Sequence, residues 1–129
     1  MRGRTRVLLL LCFLACSGCG KKSTDELIEG LKSPVEKDRI AAARLLPQRK
    51  EDAAQIVPAL IDALKDKEGD VRWSAAIGLG YFGERAKEAI PALRQAQYDR
   101  DARVREAAGV ALSRIDPEKF PTPSKTRRK

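Results

Sequence analysis

Asp70-Val71-Arg72-Trp73-Ser74-Ala75-Ala76-Ile77-Gly78-Leu79-Gly80 is the stretch whose reading decides the fold. It reads as a helix. A sister copy, Val104-Arg105-Glu106-Ala107-Ala108-Gly109-Val110-Ala111-Leu112-Ser113, follows 33 positions on. The same step backwards lands on Arg39, followed by Ile40-Ala41-Ala42-Ala43-Arg44-Leu45-Leu46. Arg39, Arg72 and Arg105 are therefore in phase, as are Ala42, Ala75 and Ala108, and Leu46, Leu79 and Leu112. The segments between repeat as well: Val57-Pro58-Ala59-Leu60 matches Ile90-Pro91-Ala92-Leu93 at the same interval. A fixed self-similarity of this length signals a solenoid, in which each unit buries its apolar face only against its neighbours. The expected fold is all-α, a short solenoid of about three helical pairs over residues 24–116.

Outward from that stretch, the helices alternate between two types. Thr24 is a suitable N-cap for a short helix carrying Leu27, Ile28 and Leu31, which fall one period before Leu60, Ile61 and Leu64. That makes it a second-type helix without a first-type partner. Ser33-Pro34-Val35-Glu36 reads as a capping box with proline at the first helical position, opening a helix that ends at Pro47. Val57, Leu60, Ile61 and Leu64 form a buried stripe on its partner, with Pro58 expected to start the regular part. Gly83 ends the helix over 70–81, and 85–97 forms the next partner, with Ile90 and Leu93 buried. Asp101 caps the last helix, and Phe120 is placed to fold back as a lid. Gly78 and Gly80, in phase with Ala111 and Ser113, mark places where helices approach closely.

The motif Val-Arg-x-x-Ala-Ala-x-small-Leu-small, followed by Val/Ile-Pro-Ala-Leu, resembles the HEAT-like repeat of the phycobilisome-lyase type within the armadillo-like superfamily. Val71, Arg72, Ala75, Ala76, Leu79 and Gly80 fit best, and Asp38 and Pro47 depart from the pattern. Ankyrin and tetratricopeptide readings fit less well, since there is no histidine for Thr-Pro-Leu-His and Trp73 is out of place. The resemblance implies that Arg39, Arg72 and Arg105 form a structural ladder with acidic residues of the same or the next unit, drawn from Asp66, Asp70, Asp99 and Asp101.

Composition narrows the function. Lys and Arg total 26 against 18 Asp and Glu, a net charge of +8. The excess lies in the two ends, because residues 23–117 hold 16 basic and 17 acidic residues. A nucleic-acid partner, which would call for a basic patch on the folded surface, is not expected. There is no histidine, and Cys12, Cys16 and Cys19 are the only cysteines. The repeat region therefore lacks the commonest zinc ligands, a thiol nucleophile and any Ser-His pair. No catalytic residue, metal or cofactor is expected, and the chain is expected not to be an enzyme. Asp66, Glu68 and Asp70 alternate like a calcium loop, but Lys65 and Lys67 interleave and no ligand set completes.

The first 19 residues have the pattern of a bacterial lipoprotein signal peptide. Arg2, Arg4 and Arg6 form the basic segment, and Val7 to Ala15 is an apolar run too short to span a bilayer. Cys19, after Ser17-Gly18, is the expected lipidation site, with Cys16 as the alternative and a secreted chain cut near Gly18 as a further one. Gly20 is not the aspartate linked to inner-membrane retention in the lipoproteins this leader resembles, which points to the outer membrane. Residues 20–23 are a tether, and 117–129 a disordered basic tail.

One exposed strip stands out. Trp73, Ile77 and Tyr81 fall at i, i+4 and i+8 on the opening helix, where the other units carry Ile40, Arg44 and Gln48, or Glu106, Val110 and Arg114. Tryptophan and tyrosine are favoured at interface centres, so the strip is the candidate contact patch for a protein partner. The opposite face offers Asp62, Lys65, Arg94, Gln95 and Gln97, whose spacing names no ligand. The function expected is a non-catalytic, lipid-anchored envelope scaffold that binds a protein. The alternative is an enzyme subunit akin to the bilin-handling lyase-type relatives, and a nucleic-acid-binding repeat protein ranks third. Intact-mass measurement of protein from its native host is expected to show a chain beginning at diacylglyceryl-Cys19, and a start at any other residue would refute that assignment.

Overall fold

The computed structural model describes residues 20–122. The leader, with Cys16 and Cys19, and the tail from 123 lie outside the described residues. Six α-helices follow one another: α1 (Thr24–Gly30), α2 (Glu36–Leu45), α3 (Ala53–Ala63), α4 (Gly69–Phe82), α5 (Ile90–Ala96) and α6 (Ala102–Ile115). Among the described residues there is no strand. Helices α2, α4 and α6 stack as one row, and α1, α3 and α5 form the other, with α1 against α2, α3 against α4 and α5 against α6. Two complete pairs, α2–α3 and α4–α5, thus stand between the half-units α1 and α6.

The repeat phase carries through to burial. Leu27, Leu60 and Leu93, Ala42, Ala75 and Ala108, and Leu46, Leu79 and Leu112 are each 3% exposed or less. Alanine at the seam lets rows approach, and leucine fills the space between them. Gly78 shows how tight the approach is. A Cβ there would stand 2.8 Å from Pro47 Cγ and 3.1 Å from Leu60 Cδ1. A Cβ at Gly80 would stand 3.2 Å from Ala111 Cα. Gly109, in contrast, faces only Gln97 Nε2 at 3.8 Å.

Local details differ from the sequence expectations in four places. Ser23, not Thr24, caps α1: its hydroxyl accepts the Glu26 N–H at 3.2 Å, and Glu26 Oε2 accepts the Ser23 N–H at 2.8 Å. Thr24 instead turns inward and donates its hydroxyl to Asp52. Helix α2 starts at Glu36 behind Val35, because Ser33 accepts the Val35 N–H at 3.1 Å in a turn of its own. Pro58 lies inside a continuous α3, where the carbonyl it leaves unbonded belongs to the exposed Ala54 and is open to water. In the next unit, Gly83 takes φ +54° and the chain runs as a 3-10 segment, Gly83–Ala89, before Pro91 opens α5. Ile90 is consequently half-buried while Leu93 is fully buried. Phe120 folds back onto the core, its N–H donating to the Asp116 carbonyl at 2.9 Å.

Arg39 and Arg72 bind in one pattern, and Arg105 shares its carbonyl half. Arg39 Nε and Nη2 donate to Asp66 Oδ2 and Oδ1 at 2.7 and 3.2 Å, and Nη1 donates to the carbonyls of Ser33 and Pro34 at 2.9 and 3.3 Å. Arg72 does the same with Asp99, at 2.8 and 2.9 Å, and with the carbonyls of Asp66 and Lys67, at 2.9 and 3.1 Å. Arg105 holds the carbonyls of Asp99 and Arg100, at 2.8 and 3.3 Å, and meets no carboxylate among the described residues. Each aspartate also orders its own turn. Asp66 Oδ1 accepts the Glu68 N–H at 2.9 Å, and Asp99 Oδ1 accepts the Asp101 N–H at 2.8 Å. Asp70 and Asp101 are not part of this pattern: both pair with Arg103 at 2.8 Å, and Asp101 caps α6. The Arg72–Asp99 pair is nearly shielded from water, with side chains 6% and 12% exposed. Hydrogen bonding to Arg72 holds the Asp99 carboxyl below the usual carboxylate range, against the opposing push of burial.

Two stability predictions follow from this packing. Gly109→Ala is expected to raise stability by about 1 kcal/mol through helix propensity alone, while Gly78→Ala lowers it by about 1–2 kcal/mol because the rigid proline ring must move. Opposite shifts in urea midpoint check this. Because the folded Asp99 pKa lies below its unfolded value, the stabilisation is fully present above about pH 4 and is lost as pH falls through the folded value. Asp99→Asn is therefore expected to cost about 3 kcal/mol at pH 7, with the gap from the parent closing on acidification below about pH 4.

Candidate partner-binding surface

Helix α4 presents Trp73, Ile77 and Tyr81 along the outer edge of the α2–α4–α6 row. Trp73 and Ile77 are half-buried, and Tyr81 is 59% exposed. The three form a ridge beside the face of α4 on which Gly78 meets Pro47 and Leu60 and Gly80 meets Ala111 of α6. A groove of about 680 Å³ runs between this ridge and α2, bordered by Arg44, Pro47 and Lys50. A second groove of about 480 Å³ lies on the α6 side, bordered by Arg103, Glu106, Val110 and Arg114. Val110 is 45% exposed, so the apolar surface continues onto α6.

Cations sit over both rings. The Arg44 guanidinium carbon is 5.9 Å from the Trp73 ring centroid, and that of Arg114 is 5.7 Å from the Tyr81 centroid. Each such contact at an exposed site contributes about 0.5–1 kcal/mol and holds the ring in place. No acidic side chain borders the α2-side groove, and Glu106 alone borders the other. The surface is thus apolar along its crest and positive at its flanks, suited to an apolar side chain accompanied by a negative group.

The sequence reading located the ridge but not its flanks. Arg114 is the phase-mate of Tyr81 and Arg44 that of Ile77, so neighbouring units place cations beside aromatic rings. That alignment was the available signal. Lys50 and Pro47 carried none, since they come from the irregular α2–α3 connection, two 3-10 turns over Leu46–Gln48 and Lys50–Asp52. On the opposite face, Asp62, Lys65, Arg94, Gln95 and Gln97 are all exposed and converge on nothing. Arg39 and Arg72 are buried in their ion pairs, away from the ridge, and Arg105 is exposed. Among the described residues, no cluster of His, Cys, Asp and Glu has the makings of a metal site, and no helix is long and apolar enough to cross a membrane.

The family model described as HEAT repeats matches residues 24–119. Comparison with curated proteins finds no match. Among solved structures, the chain is similar to the complex of CpcE and CpcF of phycocyanin lyase from Nostoc sp. PCC7120, at 29% sequence identity and a TM-score of 0.67. The likeness covers 78% of this chain and 40% of that one, so the chain spans about two fifths of that relative's length. This corrects one expectation. The lack of histidine and of cysteine in the repeats argued that the chain is not an enzyme, but the solved relative belongs to a lyase, so a repeat of this kind has a place in enzyme assemblies. The argument failed because it looked for catalytic groups within one chain, whereas the solved relative is a complex of two proteins of a lyase.

Proposed function

The chain belongs to the HEAT-repeat family, and we propose that it is a subunit of a two-protein enzyme assembly of the lyase type, tethered to the cell envelope through a lipid on Cys19. The observation that carries this reading is the Trp73–Ile77–Tyr81 ridge. It is an apolar crest with two ring-stacked arginines, open on the row of helices that the stack leaves uncovered. Aromatic and arginine side chains in such a setting are the usual centres of binding energy in protein interfaces. The likeness to a complex of two lyase subunits supports a protein as the occupant. The small-residue seams and the arginine–aspartate pairs hold the ridge rigid, so little ordering cost accompanies docking.

The groove beside α2 also suits a planar conjugated anion. Trp73 offers a face for stacking, and Arg44 and Lys50 offer positive charge. A bilin, the chromophore class handled by the lyase-type relatives, has that chemistry.

The test places a photo-crosslinking residue at Tyr81 or, as a control, at Arg94 on the opposite row, in chains expressed in the native host. Tyr81 is expected to give one discrete protein adduct at the envelope, lost in the Ile77→Glu background, while Arg94 gives none. Trp73 is the only tryptophan, so its emission reports directly on the groove. Added bilin is expected to quench it saturably, with affinity reduced severalfold, roughly 0.5–1 kcal/mol, in Arg44→Gln. Equal adducts from both rows would refute the ridge as the interface.

A further inference from the structure

The Trp73–Ile77–Tyr81 ridge is bordered by four cations, Arg44 and Lys50 towards α2 and Arg103 and Arg114 towards α6. Arg103 is held by Asp70 and Asp101 at 2.8 Å. Arg44, Lys50 and Arg114 are exposed and form no ion pair among the described residues. Arg44 and Arg114 are also held in place, since each lies over an aromatic ring. A guanidinium that stacks by its face keeps its N–H edge for a carboxylate. The floor of the α2-side groove supplies none. Ala43 and Gly78 are buried there, and the Ser74 hydroxyl already donates to the Asp70 carbonyl at 2.8 Å.

We infer, on the reading of the ridge as a protein interface, that its occupant is an acidic amphipathic helix of the partner. That helix presents apolar side chains to the two grooves and carboxylates to Arg44 and Arg114. Three features select a helix of this charge. Trp73, Ile77 and Tyr81 recur every four residues, the kind of row that interdigitates with a matching row on another helix. The row spans eight residues, about 12 Å, or roughly two turns of the occupant. An added strand finds no edge to pair with, because the backbone of α2 and α4 bonds within each helix and there is no strand among the described residues. Lastly, the unpaired cations stand on both sides of the crest. A flat anion in the α2-side groove leaves Arg114 unmatched, whereas a helix along the crest reaches both flanks. Glu106 is the one acidic side chain on the border, so the complementary surface is negative overall.

Two synthetic helical peptides test this with the full chain at low salt. Both carry the same leucine repeat and no tryptophan, one with glutamate and one with lysine along the flanks of its apolar face. Trp73 emission reports their binding. The glutamate peptide is expected to bind saturably and at least about tenfold more tightly than the lysine peptide. That preference is expected to vanish in Arg44→Gln combined with Arg114→Gln and to persist in Arg94→Gln, each checked for helix content and melting. In the native host, the partner segment crosslinked at Tyr81 is expected to be net acidic, with apolar residues at helical spacing. Three results would each overturn the acidic helix while leaving the ridge as an interface. They are binding of the glutamate peptide no tighter than that of the lysine peptide, a preference that survives the double substitution, and a crosslinked segment that is basic or lacks the helical spacing. Absence of any protein adduct at Tyr81 would remove the interface and the helix together.

Discussion

The registration of this fold depends on how the aspartates of two inter-helix turns, α3–α4 and α5–α6, are each shared between two arginines. The carboxylate of Asp66 binds Arg39, in the unit before it, and its carbonyl binds Arg72, in the unit after it. Asp99 repeats the arrangement between Arg72 and Arg105. Burying an ion pair costs desolvation, which the Coulomb attraction offsets only when the remaining donors and acceptors are satisfied. Here they are satisfied, because the carbonyls take the third guanidinium nitrogen and the turn N–H takes the carboxylate. Among the described residues no buried side-chain nitrogen or oxygen lacks a partner. The relay therefore fixes the rotation of each unit upon the next, something the alanine seams, smooth and interchangeable, would not do alone.

The ridge on α4 is a product of that registration. Gly78 lets Pro47 and Leu60 approach α4, and Gly80 lets α6 approach it, while the larger side chains Trp73, Ile77 and Tyr81 lie on the neighbouring, more open face. Trp73 and Tyr81 then find arginines from both neighbours beside their rings. Rigidity and exposure occur together: the closely packed stack carries an apolar crest on its surface.

Much of this was legible in the residues themselves. The phase of Arg39, Arg72 and Arg105 gave the unit, and the small residues gave the seam. What the chain order hid were details decided by competition between local options. Ser23 and Thr24 both suit an N-cap, and Asp52, distant in sequence, drew Thr24 inward. Pro58 has the look of a helix start, yet an exposed carbonyl one turn earlier made its missing N–H harmless. The arginine partners were ambiguous because acidic residues crowd every turn. Only the folded geometry separates Asp66 and Asp99 from Asp70 and Asp101, which serve Arg103. The groove flanks were hidden for a further reason, that Pro47 and Lys50 belong to the irregular α2–α3 connection, which the α4–α5 connection does not repeat.

A carboxylate that faces one way and a carbonyl that faces the other give the stack a direction, like the stud and socket of a building brick. The distance from Asp66 to Arg72 is the same in sequence as that from Asp99 to Arg105, so the coupling travels with each unit when the whole unit is copied. A lineage of such chains can then lengthen or shorten only in quanta of one full repeat. A gain or loss of even a single residue between Asp66 and Arg72 would turn the arginine away from the carbonyl that holds it.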